Sequence, residues 1–138
     1  MKLGYKLINK KSINSNKKWK YFIKPRSNES IPHFFLIYDI QKFLKEQKIK
    51  VELYQTLKPD LIFTLKNKKY AIEVETGSLL KTNRKALTNK IENLNKTYGK
   101  NWIFVVTNRK LAATYAKLGP TTDIRYIKNI LLKIIKNS

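Results

Sequence analysis

Cysteine is absent from the chain and histidine occurs once, as His33. Without cysteine neither a disulfide framework nor a thiolate metal site can form, and a single histidine excludes a histidine-rich metal centre. No apolar run approaches the roughly 18 residues of a membrane span, and the N-terminus has no hydrophobic signal core. The expectation is a cytoplasmic protein without membrane contact. Acid is also scarce, with nine Asp and Glu against thirty Lys and Arg and a formal net charge of +21. The 138 residues suffice for one domain with one core, and not for two.

A charge of that size points to a polyanion, most often nucleic acid. Only four of the thirty basic residues are arginine, and Asn and Ile are abundant, so part of the excess reflects AT-rich coding. The placement is nevertheless uneven. Residues 1–28 contain nine basic side chains and no acid. Two strand-like pieces, Lys2 to Asn9 and Trp19 to Lys24, flank a Ser/Asn/Lys loop there and predict a basic β-hairpin. Trp19, Tyr21 and Phe22 interleave with lysines, as on a surface that stacks bases while gripping phosphates. Equally, such aromatics can pack on a core while the lysines face water. Candidate nucleic-acid contacts are Lys10, Lys11, Lys17, Lys18, Trp19 and Lys20, with Lys58, Lys81 and Lys85 further on.

Three of the nine acids fall in one stretch, Lys58 to Gly77. Leu61, Phe63 and Leu65 alternate with Asp60, Ile62 and Thr64. Tyr70, Ile72 and Val74 alternate with Ala71, Glu73 and Glu75, the period of strands. A turn centred on Asn67-Lys68 sets Leu65 opposite Tyr70, Ile62 opposite Glu73 and Asp60 opposite Glu75, and so gathers Asp60, Glu73 and Glu75 on one patch. Clustered carboxylates repel unless neutralised. A divalent cation such as Mg²⁺, which prefers carboxylate oxygens, would do this, and so would a solvated face balanced by Lys58, Lys66 and Lys69.

Around this stretch the periodicity predicts a helix from about Ile31 to Gln47, opened by Pro32. His33, Ile37, Ile40 and Leu44 form its apolar stripe. A strand from Lys50 to Gln55 follows, on which Glu52 either faces solvent or joins the acidic patch. After Gly77 a helix spans about Asn83 to Tyr98, with Leu87, Ile91, Leu94 and Tyr98 as its stripe, Lys90 on the stripe edge and Lys85 pointing away. Asn101 to Thr107 is a continuous apolar run, the mark of a strand covered on both faces. Asn108 caps a helix to about Leu118, Asp123 to Ile127 reads as a short strand, and Ile130 to Ile135 as a terminal helix.

Pro59-Asp60, twelve residues, then Glu73-Val74-Glu75 resembles the signature of the PD-(D/E)XK, or restriction-endonuclease-like, nuclease superfamily. The form Glu73-Val74-Glu75-Thr76-Gly77 is similar to the Glu-x-Asp-x-Gly of replication-relaxation and mobilisation proteins of mobile elements. The order α-β-β-β-α-β from Ile31 to Thr107 is that superfamily's core order. The fold class expected is therefore α/β, a restriction-endonuclease-like core (29–107) with a mixed central sheet. A basic N-terminal hairpin (1–28) and a C-terminal α-β-α extension (108–138) would flank it.

The resemblance implies that Asp60, Glu73 and the Val74 carbonyl hold Mg²⁺ or Mn²⁺, which activates a water for in-line attack on a DNA phosphodiester. The superfamily's usual lysine is replaced by Glu75, which leaves two roles open, a further metal ligand or a general base. Lys90 is the candidate replacement lysine, or else a snorkelling surface lysine. His33 is either a packed core histidine or a member of the site, as the early histidine of replication-relaxation proteins suggests. The expected activity is that of a metal-dependent DNA endonuclease or nickase of a phage, plasmid or integrative element. Many such nucleases dimerise to cut two strands, which leaves monomer and homodimer both open. A catalytically inactive DNA-binding scaffold and a basic RNA-binding protein are the alternatives.

Overall fold

Alternating apolar residues through the middle of the chain assemble into one sheet with helices on both faces. The computed structural model describes residues 31–53 and 59–138 in full, and residues 6–11 and 18–23 as paired backbone. β1 (Lys6–Lys11) and β2 (Lys18–Ile23) pair antiparallel as a two-stranded sheet of their own. α1 (Ile31–Glu46) then leads into β3 (Lys50–Leu53), β4 (Leu61–Leu65) and β5 (Lys68–Glu75). α2 (Ser78–Thr82) and α3 (Arg84–Tyr98) cross back to β6 (Trp102–Val106). A 3₁₀ turn (Arg109–Leu111), α4 (Ala112–Ala116), β7 (Thr121–Asp123) and α5 (Ile127–Lys136) complete the described chain. The main sheet has the order β3-β4-β5-β6-β7, antiparallel from β3 to β5 and parallel from β5 to β7. The protein is thus α/β with a five-stranded, mixed, open sheet.

The pleat divides the core in two. Leu61, Phe63, Ile72, Val74 and Val105 pack under α1 and α5, where Leu36, Ile40, Leu44, Ile127 and Leu131 meet them. On the opposite face Ala71, Trp102, Phe104 and Val106 pack against Leu87 and Leu94 of α3 and Tyr115 of α4. β6 is covered on both sides, as its unbroken apolar run requires. Glu73 and Glu75 share the pleat parity of Ala71 and so look toward α3.

Several expectations need correction. The β4–β5 turn is the two-residue Lys66-Asn67, with φ of 46° and 67°. Two left-handed residues give the primed turn whose twist matches that of the strands. The ladder therefore pairs Leu65 with Lys68 and Ile62 with Ala71, not Leu65 with Tyr70 and Ile62 with Glu73. Because the slip is of two residues, every side chain keeps its face. Its continuation sets Asp60 opposite Glu73 rather than Glu75.

β7 is Thr121–Asp123, not Asp123 to Ile127, because the Asp123 carboxylate accepts from Arg125 N–H at 2.8 Å and turns the chain out of the sheet. α5 starts at Ile127 rather than Ile130, since Ile127 and Leu131, one turn apart, are both fully buried. α2 was not expected, and Phe35, Leu36, Asp39 and Phe43 join the expected buried stripe of α1. The hairpin strands are Lys6–Lys11 and Lys18–Ile23 instead of Lys2 to Asn9 and Trp19 to Lys24. Tyr54 and Gln55, expected in β3, lie outside the described residues.

Trp102 anchors the α3 face. It lies edge-on to Phe104 with ring centroids 4.9 Å apart and donates its indole N–H to Asn95 at 2.9 Å. A Cβ at Gly119 would stand 2.4 Å from its Cη2. The ring is fixed by both contacts and cannot swing away, so Gly119→Ala should lower stability by about 1–3 kcal/mol. Denaturant titration of the two proteins measures this; equal midpoints would show that the indole yields.

Candidate active site

The site begins where the β4–β5 ladder stops. Ala71 N–H donates to Asn101 O at 2.9 Å and Thr107 N–H to Glu75 O at 3.0 Å, so the odd-numbered residues of β5 bond to β6. The even-numbered ones face β4. Continuing that register brings Val74 opposite Pro59, which has no N–H to donate. The Val74 N–H instead donates to Asp60 Oδ2 at 2.8 Å, and position 59 offers the Val74 carbonyl no ladder donor. Proline leaves the Val74 carbonyl without a ladder donor, while the Asp60 carboxylate takes the Val74 N–H in place of the Pro59 carbonyl and is held at the rim of the sheet.

Four more side chains converge there. His33, in the first turn of α1, places Nε2 3.1 Å from Asp60 Oδ2. Glu73 and Glu75 are each 5 % exposed. Lys90 reaches from α3 to both, with Nζ 3.0 Å from Glu75 Oε2 and 3.4 Å from Glu73 Oε1. The Tyr115 hydroxyl donates to Glu75 Oε1 at 3.1 Å. Gly77 makes the return of the chain possible: its φ is 91°, and a Cβ there would sit 3.1 Å from Leu111 Cδ1.

The cluster sets opposing demands on its protons. Burial pushes the Asp60 carboxyl up, but hydrogen bonds from His33, Glu73 and the Val74 N–H together hold it below the usual carboxylate range. Burial, and then the neighbouring Asp60 charge, push Glu73 well above that range against the pull of Lys90. Burial would lower Lys90, yet Glu73 and Glu75 raise it and keep it an ammonium. Burial and the Glu75 carboxylate hold the Tyr115 phenol up, so it stays a hydrogen-bond donor.

Asp60, Glu73, Glu75, Lys90 and His33, singled out from the sequence, are thus neighbours, with the Val74 backbone between them. Lys81 and Lys85 are exposed on α2 and α3. Lys10 and Lys11 lie on β1, and Lys18, Trp19 and Lys20 on β2, but their side chains are outside the described residues. Lys17 and Lys58 are also outside them. Sequence reasoning missed Tyr115. The spacing Leu111, Ala112, Tyr115 after the Asn108 cap is an apolar helical stripe, and it faces the sheet beside Glu75.

The donors suit a hard cation. Mg²⁺ is bound through one or two carboxylates plus waters. Asp60 and Glu73 supply two neighbouring carboxyl groups whose charges act on one another, and Val74 offers a carbonyl without a ladder partner. A divalent ion between the two acids would lower Glu73 again. Glu75 already engages Lys90 and Tyr115. Among the described residues no three His, Cys, Asp or Glu side chains form a ready-made metal cluster, so the carbonyl and solvent would complete the coordination.

Tyr115→Phe removes the hydroxyl and leaves a buried carboxylate oxygen without its donor. A loss of about 1–3 kcal/mol in unfolding free energy is expected. Chemical denaturation checks it, and an unaltered free energy would mean that Glu75 finds another donor. No family model, curated protein or solved structure matches this chain, so the functional reading rests on the geometry and on the motif.

Proposed function

We propose that the chain is a metal-dependent DNA endonuclease or nickase of restriction-endonuclease-like architecture, serving a mobile element. The observation that carries this reading is the Lys90 ammonium, 3.0 Å from Glu75 and 3.4 Å from Glu73, beside the Asp60–Glu73 pair. Asp60, Glu73 and the Val74 carbonyl would hold Mg²⁺ or Mn²⁺. When bound, that ion supplies Lewis-acid stabilisation of charge on the phosphate and acidifies water.

The remaining side chains have separable roles. Lys90 takes the place of the lysine that the motif usually carries where this chain has Glu75. With two of its N–H donors turned to Glu75 and Glu73, it keeps a third for an attacking water or a phosphoryl oxygen. Glu75 aims Lys90, and Tyr115 in turn fixes Glu75. His33 orients Asp60, leaving the carboxylate one oxygen free of the His33 and Val74 contacts. The charge of +21 supports a nucleic-acid substrate. One observation favours a second reading: Glu75 stands where the motif usually carries its lysine, as it would in a DNA-binding scaffold that has given up catalysis.

Cleavage of supercoiled, linear and branched DNA under Mg²⁺ or Mn²⁺ separates the two. Asp60→Asn and Glu73→Gln should each abolish cleavage while leaving DNA binding equal or tighter, since each removes negative charge near the phosphates. No cleavage of any form by the wild type would favour the inactive scaffold.

Glu75→Lys asks a different question. It would set a second ammonium against Lys90 in a buried site, so activity should fall at least a hundredfold, about 2.7 kcal/mol in barrier. A Glu75→Lys protein that cuts as well as the wild type would overturn the role of Glu75.

A further inference from the structure

Beside the carboxylates lies a cavity of about 500 Å³ that the proposed chemistry does not use. Its walls come from the C-terminal ends of the two parallel strands after β5: Thr107 and Asn108 follow β6, and Asp123 closes β7. Arg109, Arg125 and Pro32 complete the lining that matters here. Two of the four arginines of the chain therefore meet at this one place. The cavity also adjoins the site directly. Thr107 N–H donates to Glu75 O, and Pro32 precedes His33, which holds Asp60.

Its charge is specific. Asp123, 4 % exposed, is taken by Arg125, whose Nη2 donates to Oδ2 at 2.9 Å and Nε to Oδ1 at 3.2 Å. That engagement holds the Arg125 guanidinium by one edge, 4.9 Å over the Tyr126 ring, and leaves its outer N–H groups directed elsewhere. Arg109 forms no ion pair as close as that of Arg125 among the described residues, although its charge also acts on Asp123. Two guanidiniums against one carboxylate leave one net positive charge, the complement of a single phosphodiester group. Arginine is the residue whose planar fork suits phosphate oxygens. Parallel α/β sheets bind ligands beyond the carboxyl ends of their strands, where this cavity opens. β6 stands roughly 5 Å and β7 roughly 10 Å from β5, so the cavity spans one to two strand spacings from the carboxylates, about the reach of the adjoining nucleotide.

We infer that this cavity is a phosphodiester subsite, in which Arg109 and Arg125 grip the DNA phosphate next to the one presented to Asp60 and Glu73. The inference rests on the nuclease reading for which phosphate is cut, and not for whether DNA is held. Arg125 is pre-set by Asp123, and Arg109 closes on the phosphate from the 3₁₀ turn. The subsite fixes the register of the strand over the carboxylates.

The test is the salt dependence of binding to a short DNA duplex, read by fluorescence anisotropy in EDTA so that cleavage plays no part. Arg109→Gln should weaken binding and reduce the slope of log affinity against log salt by about 0.9, the share of one phosphate contact. Arg109→Lys should restore most of that slope. Lys117→Gln, past the end of α4 where the chain turns toward the start of β7, should leave it unchanged. In the wild-type protein the Arg109 Nε–H resonance should shift on adding duplex, a readout that needs no variant. An Arg109→Gln slope equal to that of the wild type, or a Lys117→Gln effect as large, would sink the subsite and leave the nuclease reading standing. Binding with the expected slopes but no cleavage would do the reverse.

Discussion

The hydrogen bond from Val74 N–H to Asp60 is the contact on which the rest of the site depends. A ladder running on through residue 59 would place Asp60 as one more pleated side chain beside Ile62. Pro59 removes the donor that would meet the Val74 carbonyl, and the Val74 N–H goes to the Asp60 carboxylate rather than to the Pro59 carbonyl. The carboxylate substitutes for a backbone partner, and so the only aspartate on the sheet's central hairpin is locked where the strands open. His33 reaches it from α1, on the far face of the sheet, so both layers of the fold converge on one acid.

Such a cluster is costly to build from few acids in a chain this basic, and Lys90 is what makes it tolerable. Removing two carboxylates from water carries a penalty that an opposite charge offsets only when well placed. α3 places it well: Leu87 and Leu94 commit one stripe to the sheet, and Lys90, three residues after Leu87 and on the edge of that stripe, meets Glu73 and Glu75. The same packing that stabilises the α3 face therefore sets the reach of the ammonium. Tyr115, from α4 on the same face of the sheet, gives Glu75 a second partner.

Much of this was legible in the residues because period, parity and punctuation agree. The alternation of β4 and β5 gave the faces, the apolar run of β6 its double burial, and Asn83, Gly99 and Asn108 the helix ends. What was misread depended on backbone torsions that residue types do not announce. Lys66 has no strong preference for positive φ, so the tight turn was hidden and the register was misplaced by two. The even slip spared the faces, which is why the acids still converged. β7 and the start of α5 were misread for a related reason. Ile124 and Tyr126 look strand-like, but the Asp123 side chain outcompetes the ladder for the Arg125 N–H. Tyr115 escaped notice because a buried tyrosine reveals its partner only once the fold brings strand and helix together.

The core under α1 is sealed by α5, which lies far along the chain. Ile127 and Leu131 sit in the same cluster as Leu36 and Ile40, and Lys128 Nζ lies 5.8 Å over the Phe43 ring. These contacts join segments about ninety residues apart, and loop closure over that span is slow. During synthesis, therefore, the hairpin with its three acids emerges well before the helix that covers its apolar side. Until residues 127–131 leave the ribosome, Phe63, Ile72 and Val74 have only α1 to shield them, and a nascent chain paused there would expose a greasy half-sheet to chaperones.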